Sequence, residues 1–154
     1  MNNSFNIINS CKIGKKFQIG NFCIIEDDVI IGNNVRIENY VLLKKGTIIG
    51  NDCFIDSYVR SSGQNKIGNR VTLRYGATIA KNVFIEDDVF IAPNVMTVYG
   101  NPTYLKNKSI INTAVVIEGG ITIGEEVIIG ANSFVNTDCI KKGLYVGNPA
   151  RYIG

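Results

Sequence analysis

The sequence predicts an all-β solenoid of short stacked strands, and three features of one six-residue repeat lead to that prediction. An aliphatic residue recurs at every sixth position, glycine often follows it, and a smaller apolar residue comes four positions after it. From Ile7 to Thr97, fourteen of the sixteen residues spaced six apart are Ile or Leu. A helix with a period of about 3.6 residues cannot stay in phase over such a length, whereas stacked copies of one short strand must do so.

Each six-residue unit, or hexad, has two positions that we expect to point inward. The first holds the aliphatic residue, and the smaller position, four residues later, is filled mostly by Val. All four cysteines occupy the smaller position and none forms a Cys-x-x-Cys pair: Cys11, Cys23, Cys53 and Cys139. We therefore interpret them as small buried hydrophobic residues that are neither linked nor metal-bound.

Glycine directly follows the aliphatic residue in seven hexads. A corner between flat strands requires left-handed backbone angles, which glycine adopts without a Cβ clash. We therefore expect these glycines to form the left-handed corners of the solenoid.

Length and composition limit what else the chain can be. Its 154 residues fit one domain, and a net charge of +3 is too small to predict a nucleic-acid partner without a concentrated basic stripe. No apolar run reaches the roughly 18 residues of a membrane span, and the N-terminus lacks a signal-peptide layout, so we expect a cytoplasmic protein. The chain has no histidine, which removes the commonest general base and the commonest metal ligand, and we expect no metal.

The repeat is interrupted near residue 98 and resumes two residues out of phase at Ile111. The intervening sequence, MTVYGNPTYLKNKS, replaces the aliphatic pattern with polar and aromatic residues. We expect a projecting loop at about 98–110, and such loops on rigid scaffolds often carry functional residues. Tyr99 and Tyr104 would then contact substrate, with packing against a neighbouring coil as the alternative.

The I-G-x-x-V-x pattern resembles the hexapeptide-repeat family, the left-handed parallel β-helices of bacterial acyltransferases. The resemblance covers nearly the whole chain and implies one domain, 1–154, with three hexads per coil, about seven coils and a closing segment at 140–154. The left-handed sense comes only from the resemblance, because the general rule for parallel crossovers predicts the opposite hand.

Coils of 18 residues would stack Arg74 on Asp56 and Glu38, and Arg70 between Asp52 and Asp88. These columns are either surface ion pairs or, at Arg74, part of a substrate-binding phosphate site.

The hexad SSGQNK lacks both inward apolar residues, so we expect a polar bulge there. It is either a solvated corner or a phosphate site formed with nearby cations: Arg60, Lys66, Arg70 and Arg74.

The interrupted segment resembles the galactoside and maltose acetyltransferase branch of the family. In that branch an I-A-P-N-V segment precedes a G-H-P loop whose histidine is the general base. Here Ile91–Val95 match, and Gly100 and Pro102 bracket Asn101 at the histidine position, with one residue fewer between the two blocks. Asparagine cannot exchange a proton at neutral pH, so base catalysis is not carried over. The catalytic role left to Asn101 is to orient the acceptor by hydrogen bonds.

The C-terminal sequences ITIGEEVIIGANSFVNTDC and VGNPARYIG resemble the final coils and closing segment of the family. In relatives these elements line the coenzyme A groove. The resemblance implies that acyl-CoA contacts the matching residues here: Gly130, Ala131, Ser133, Lys141, Lys142 and Arg151. The alternative is that the first two merely form a corner and the cations are solvated.

The resemblance implies a CoA-dependent acyltransferase, with acetyl-CoA as donor and a sugar as acceptor. Because histidine is absent, we favour the amino group of a nucleotide-linked sugar, since a neutral amine already carries a nucleophilic lone pair. One alternative is a hydroxyl acceptor with Glu86, Asp87 or Asp88 as base, and another is a noncatalytic scaffold. The family also implies a homotrimer, in which the loop of one chain meets the coils of its neighbour.

Overall fold

The computed structural model describes residues 5–154 as a parallel β-solenoid of about eight turns, consistent with a left-handed β-helix. The predicted fold class is confirmed, with one turn more than the repeat had indicated. Three sheets form the faces of a prism around one core. No helix long and apolar enough to cross a membrane occurs in residues 5–154.

Each coil contributes one short strand to each of three faces. Face 1 contains β1 (Ile7–Ile8), β4 (Ile24–Ile25), β7 (Leu42–Leu43), β10 (Arg60–Ser61), β13 (Thr78–Ile79), β16 (Met96–Thr97), β19 (Val116–Ile117) and β22 (Phe134–Val135). Face 2 contains β2 (Lys12–Ile13), β5 (Ile30–Ile31), β8 (Ile48–Ile49), β11 (Lys66–Ile67), β14 (Val83–Ile85), β17 (Thr103–Leu105) and β20 (Thr122–Ile123). Face 3 contains β3 (Gln18–Ile19), β6 (Arg36–Ile37), β9 (Phe54–Ile55), β12 (Thr72–Leu73), β15 (Phe90–Ile91), β18 (Ile110–Ile111), β21 (Val127–Ile129), β23 (Gly143–Gly147) and β24 (Ala150–Tyr152).

The corners between faces form three edges along the prism. We name edge A the corners between faces 1 and 2, edge B those between faces 2 and 3, and edge C those between faces 3 and 1. The N-terminal end is taken as the bottom of the prism. The last strand, β24, returns antiparallel to β23, so the top of face 3 ends in a hairpin.

The strand register shows that the insertion is shorter than the sequence predicted. From β2 to β16, neighbouring strands pair at a spacing of 18 residues. The three pairs that span the insertion have a spacing of 20, as in Ile85 with Leu105, and the pairs from β17–β20 to β19–β22 return to 18. Leu105 is fully buried, so the inward pattern already resumes in β17. The expected loop at 98–110 is therefore only the edge A corner 98–102, because the remaining residues belong to regular coils.

The core consists of the inward hexad positions, and three of the four cysteines are buried there as the repeat predicted. Cys23, Cys53 and Cys139 are buried, Cys11 is half-buried, and all four are free thiols. The Cys53 thiol donates a hydrogen bond to the carbonyl oxygen of Gly68, at 3.1 Å. Burial raises the pKa of the Cys23 and Cys53 thiols above the ordinary value.

The glycines after the aliphatic residues do not supply the left-handed angles, so that part of the prediction is wrong. Gly32 and Gly50 have no positive φ, and a Cβ on Gly50 would lie 2.5 Å from the carbonyl oxygen of Gly68 in the next coil. These glycines are required because the coils approach closely. The left-handed residues come two positions later, as at Asn34 and Asp52.

The hexad SSGQNK stays in register with its neighbours, so the expectation of a polar bulge there is wrong. Ser61 and Asn65 point inward and are each 1% exposed. The Ser61 hydroxyl lies 2.7 Å from the Thr47 hydroxyl and 2.6 Å from Asn65 Oδ1, and Asn65 Nδ2 donates to the carbonyl oxygen of Ala80. The polar residues are tolerated inside because they satisfy one another.

An aromatic ladder runs up the lower part of edge C. The rings of Phe22, Tyr40 and Tyr58 stack with centroids 5.1 and 4.9 Å apart and planes within about 12°. All three residues have left-handed backbone angles, which are costly for bulky side chains. The stacking offsets part of that cost, since aromatic pairs contribute about 0.5–1.5 kcal/mol beyond burial.

Candidate functional site

The edge A corner 98–102 is exposed but firmly held at both ends by buried hydroxyls. Before it, Thr97 Oγ1 accepts a hydrogen bond from the Ala80 backbone nitrogen at 2.7 Å, in the coil below. After it, Thr103 Oγ1 accepts one from the Gly120 nitrogen at 3.0 Å, in the coil above. Both threonines are at most 3% exposed. The corner is therefore an ordered platform that presents its side chains to solvent.

Two glycines in the coil above make room for this corner, and the sequence analysis missed them. A Cβ on Gly119 would lie 2.5 Å from the Gly100 Cα, and one on Gly120 would lie 3.1 Å from the Asn101 Cβ. The exposed carboxylate of Glu118 precedes them on the same edge. The dipeptide GG was no signal by itself, because the two-residue register shift had to be known before Gly119 could be placed against Gly100.

The loop residues predicted to bind substrate occupy two different surfaces. Asn101 and Tyr99 are exposed on edge A, and Tyr99 is 70% exposed. Tyr104 lies on face 2, where its ring stacks on Phe84 at 5.4 Å and Lys106 Nζ is 5.3 Å from its centroid. The geometry therefore brings Tyr99 and Asn101 together, with Tyr104 around the corner.

Arg74 lies on edge C, so it does not meet the loop of its own chain. Its guanidinium Nε is 3.1 Å from Asp56 Oδ2, as the 18-residue columns predicted. On edge B, Arg70 pairs with Asp88 at 2.7 Å. Both arginines thus take part in surface ion pairs and lie away from the Ser62–Gln64 corner on edge A.

The acidic cluster Glu86–Asp88 also lies on edge B, across face 2 from the loop. Glu86 Oε1 is 2.8 Å from Lys106 Nζ, and Asp87 Oδ1 accepts a hydrogen bond from the Asn69 nitrogen at 2.7 Å. The hydrogen bond from Arg70 lowers the pKa of Asp88, which makes that carboxylate a weaker base. Each of the three carboxylates is engaged by a neighbour.

The predicted CoA strip spans the top of face 3 from edge C to edge B. At edge C, the Gly130 nitrogen donates to the Tyr145 carbonyl oxygen, and Ala131 is exposed beside it. Ser133 is only 2% exposed, and its hydroxyl accepts a hydrogen bond from the Gly147 nitrogen. Ser133 therefore anchors the closing hairpin from within.

The three cations of the strip are exposed but placed differently. Arg151 pairs in register with Val146, whose side chain covers Gly130, so it belongs to the edge C end. Lys141 and Lys142 lie at edge B, where Lys141 Nζ is 4.1 Å from the Tyr152 ring centroid and Lys142 pairs with Glu126. Arg151 and Lys141 can still meet an anion, so the strip fits a phosphate-bearing cosubstrate. Among residues 5–154, no three His, Cys, Asp or Glu side chains cluster to hold a metal ion.

The stacked hexads and the closing hairpin define a hexapeptide-repeat β-helix protein, and similar proteins of this class include acetyltransferases. The chain is 34% identical over 112 residues to galactoside O-acetyltransferase of Escherichia coli (strain K12), covering 60% of this chain and 55% of that protein. The chain belongs to the family described as GMPPB C-terminal domain, whose model matches residues 1–102. It spans about half the length of the curated relative it matches.

Two solved structures share the fold. A galactoside acetyltransferase in complex with coenzyme A superposes with a TM-score of 0.66 and 30% identity, covering 70% of this chain and 64% of that one. A mutant GDP-perosamine N-acetyl transferase from Caulobacter crescentus, in complex with CoA and GDP-perosamine, gives a TM-score of 0.57 and 18% identity. That match covers 98% of this chain and 57% of the other, and at this identity it shows the fold alone.

Proposed function

We propose that the protein is a CoA-dependent acyltransferase that acetylates the amino group of a nucleotide-linked sugar without a histidine base. The observation that carries the proposal is the ordered edge A corner with Asn101, in a histidine-free chain that is 34% identical to a sugar acetyltransferase. An amine acceptor suits such a corner, because its neutral form attacks the thioester without prior removal of a proton by the protein.

Without a general base, the protein would contribute to catalysis by positioning the acceptor and by stabilising the charge that develops on the thioester. Asn101 would orient the acceptor through its amide group, and Tyr99 would contact the sugar ring. As the amine attacks the thioester carbon, negative charge develops on the carbonyl oxygen, and a backbone N–H in the CoA groove would stabilise it. The thiolate of CoA leaves, and the proton lost by the amine passes to solvent or to that thiolate.

The reactive centre would be completed by a second copy of the chain. Within one chain, the loop is on edge A, whereas Gly130, Ala131 and Arg151 are on edge C. Coils rise by about 4.8 Å, so Gly130 lies only one to two coils above the loop along the prism. A cyclic homotrimer joins different surfaces of neighbouring chains, so edge A of one chain would face edge C of the next.

The same assembly would give Arg74 a place near the acceptor. Arg74 is on edge C, about one coil below the level of the loop, so the neighbour's loop would lie above it. Tyr99 would then contact the second chain, as would Tyr104 if the cleft extends onto face 2. In this arrangement acyl-CoA enters along edge C from the top and the sugar enters along edge A.

The main alternative is a hydroxyl acceptor with a carboxylate base. Glu86, Asp87 and Asp88 lie on edge B and are engaged by Lys106, Asn69 and Arg70, which disfavours them as that base. Glu118 lies on the same edge as the loop, one coil above it, and would be the better candidate. A noncatalytic scaffold is the remaining alternative, and it predicts no binding of CoA thioesters.

The experiment is acetyl transfer from acetyl-CoA to two nucleotide-linked sugars that differ only in amine or hydroxyl at the reacting carbon. We expect the amine to react faster, with a rate that rises with pH as its own ammonium group titrates. Asn101→Ala should lower that rate about ten- to a hundredfold, by loss of a hydrogen bond worth about 1 to 3 kcal/mol, without moving the pH midpoint.

Three further variants separate the alternatives. Asp87→Asn, Asp88→Asn and Glu118→Gln should leave amine acetylation nearly unchanged. Faster acetylation of the hydroxyl sugar, together with loss of activity in one of these variants, would replace the amine proposal with the carboxylate-base alternative. Absence of any thermal shift with CoA thioesters would favour the scaffold.

A further inference from the structure

A second surface feature lies on edge A, directly below the loop. It is an open depression of about 360 Å³ whose lining includes Lys44, Lys45, Ser62, Gln64 and Lys81. The coil that carries Lys81 is the one bonded to Thr97 at the base of the loop, through the Ala80 nitrogen. The depression and the loop are therefore continuous along one edge of the prism.

The cations in this depression are not neutralised equally. Lys45 Nζ pairs with Asp28 at 3.2 Å, and its backbone nitrogen donates to Glu26 Oε2 at 2.9 Å, so these carboxylates are engaged at the lower end. Lys44 and Lys81 are exposed and form no ion pair with any carboxylate in residues 5–154. The part of the depression from Lys44 up to Lys81 therefore has an excess of positive charge.

The floor of the depression is rigid because its backbone packs closely on the coil below and covers a buried hydrogen-bonded cluster. Gly63 is buried, and a Cβ there would lie 2.7 Å from the Lys45 carbonyl oxygen, so the corner lies flat on the coil below. Beneath it, the hydroxyls of Thr47 and Ser61 and the amide of Asn65 form the buried hydrogen-bonded cluster. A fixed floor lowers the cost of ordering a site for a ligand.

We infer that Lys44 and Lys81, with the Ser62–Gln64 corner, bind the diphosphate of the nucleotide-linked acceptor. This deepens the proposed function and rests on it for the identity of the acceptor. Lys81 lies about one coil below the loop and Lys44 about three, or roughly 5 and 14 Å at the coil spacing. A sugar at Asn101 would thus place a diphosphate between the two lysines, where ammonium groups and a hydroxyl can donate to its oxygens.

The test is direct binding of inorganic pyrophosphate, UDP and GDP by calorimetry at low salt, with no acyl donor present. We expect saturable binding that weakens about tenfold or more in Lys44→Gln/Lys81→Gln, as removal of two charge-assisted contacts implies. The matched control is Lys15→Gln/Lys16→Gln, which removes the same charge from edge B and should bind within about twofold of the native protein.

Affinity for CoA, measured on the same proteins, distinguishes the two sources of a diphosphate. It should be unchanged in the Lys44→Gln/Lys81→Gln variant, because the donor strip lies across the top of face 3, between edges C and B. A parallel loss of CoA affinity would assign the depression to the donor and overturn the inference, as would pyrophosphate binding that is absent or equal in all variants. Because these assays need no acetyl transfer, failure of the proposed reaction would leave their outcome intact.

Discussion

At the scale of residues, hexad positions select side chains for different physical reasons. Gly50 is needed because the next coil leaves no space for a Cβ, whereas Asp52 is suited to a left-handed corner. Asn51 adds a third role, because its Oδ1 accepts a hydrogen bond from the Asn33 nitrogen of the coil below, at 2.7 Å. A single repeat therefore encodes close packing, corner geometry and a side-chain ladder at once.

The cysteine position predicts slow chemical modification in the native protein. Burial raises the pKa of the Cys139 thiol to about 11, so little thiolate exists at pH 8, and the sulfur is also shielded. A thiol reagent should therefore label Cys139 slowly before denaturation and completely after it, followed by mass spectrometry of the peptides. Half-buried Cys11 serves as the internal comparison and should react first. Rapid native labelling of Cys139 would contradict its inward placement.

At the scale of elements, the insertion is the feature that sequence reasoning described least well. The resemblance of IAPNV and GNP located the corner, and the aliphatic period located every strand up to β16. The segment from Thr103 to Lys106 does not resemble the start of a hexad, so the sequence predicts a loop that extends to residue 110. Only the pairing of β17 with β14 shows that the inward pattern restarts at Leu105.

The contact between the loop and the coil above it makes Gly119 a sensitive position. Gly119→Ala places a methyl group against the Gly100 backbone, so the loop must move. We expect about a hundredfold lower kcat/KM for acetyl transfer, a size that misplacement of an orienting group can produce. CoA affinity should not change, because the donor strip lies across the top of face 3, between edges C and B.

Glu125→Ala, at an exposed corner of edge B, is the control for Gly119→Ala and should retain full activity. Equal activity of Gly119→Ala and the native protein would show that the loop position does not matter for transfer.

The aromatic ladder predicts a measurable coupling between neighbouring coils. In a double-mutant cycle of Tyr40→Ala and Tyr58→Ala, we expect a coupling of about 0.5–1.5 kcal/mol in the free energy of unfolding, because the rings stack at 4.9 Å. Urea denaturation of the four proteins provides the values. Strictly additive effects would mean that the stacked rings contribute nothing beyond their separate contacts.

At the scale of the whole molecule, the period alone predicted the solenoid, since fourteen aliphatic positions in phase admit few other folds. The vertical stacking of the site residues could not be predicted in the same way. A shift of two residues at 98–102 changes which lower residue each later residue lies above. The register then places Asn101 on edge A and Gly130 on edge C.

This separation leads to the prediction of a homotrimer. Light scattering at micromolar concentration should give a particle mass of about three times the chain mass of 16.9 kDa. A trimer is expected because neither edge A nor edge C of one chain carries both the donor and the acceptor residues, so that two chains must meet. A monomer at that concentration would leave the loop and the strip on separate surfaces and would contradict a shared reactive centre.

Complementation between two inactive variants tests the shared centre most directly. One variant carries Tyr99→Ala with Asn101→Ala in the loop, and the other carries Ala131→Trp in the donor strip. Co-expressed in equal amounts, they should recover about a quarter of native acetyl transfer, because that fraction of interfaces in random trimers joins an intact loop to an intact strip. Activity no greater than the average of the separately purified variants would contradict the account, since a centre within one chain cannot be restored by mixing.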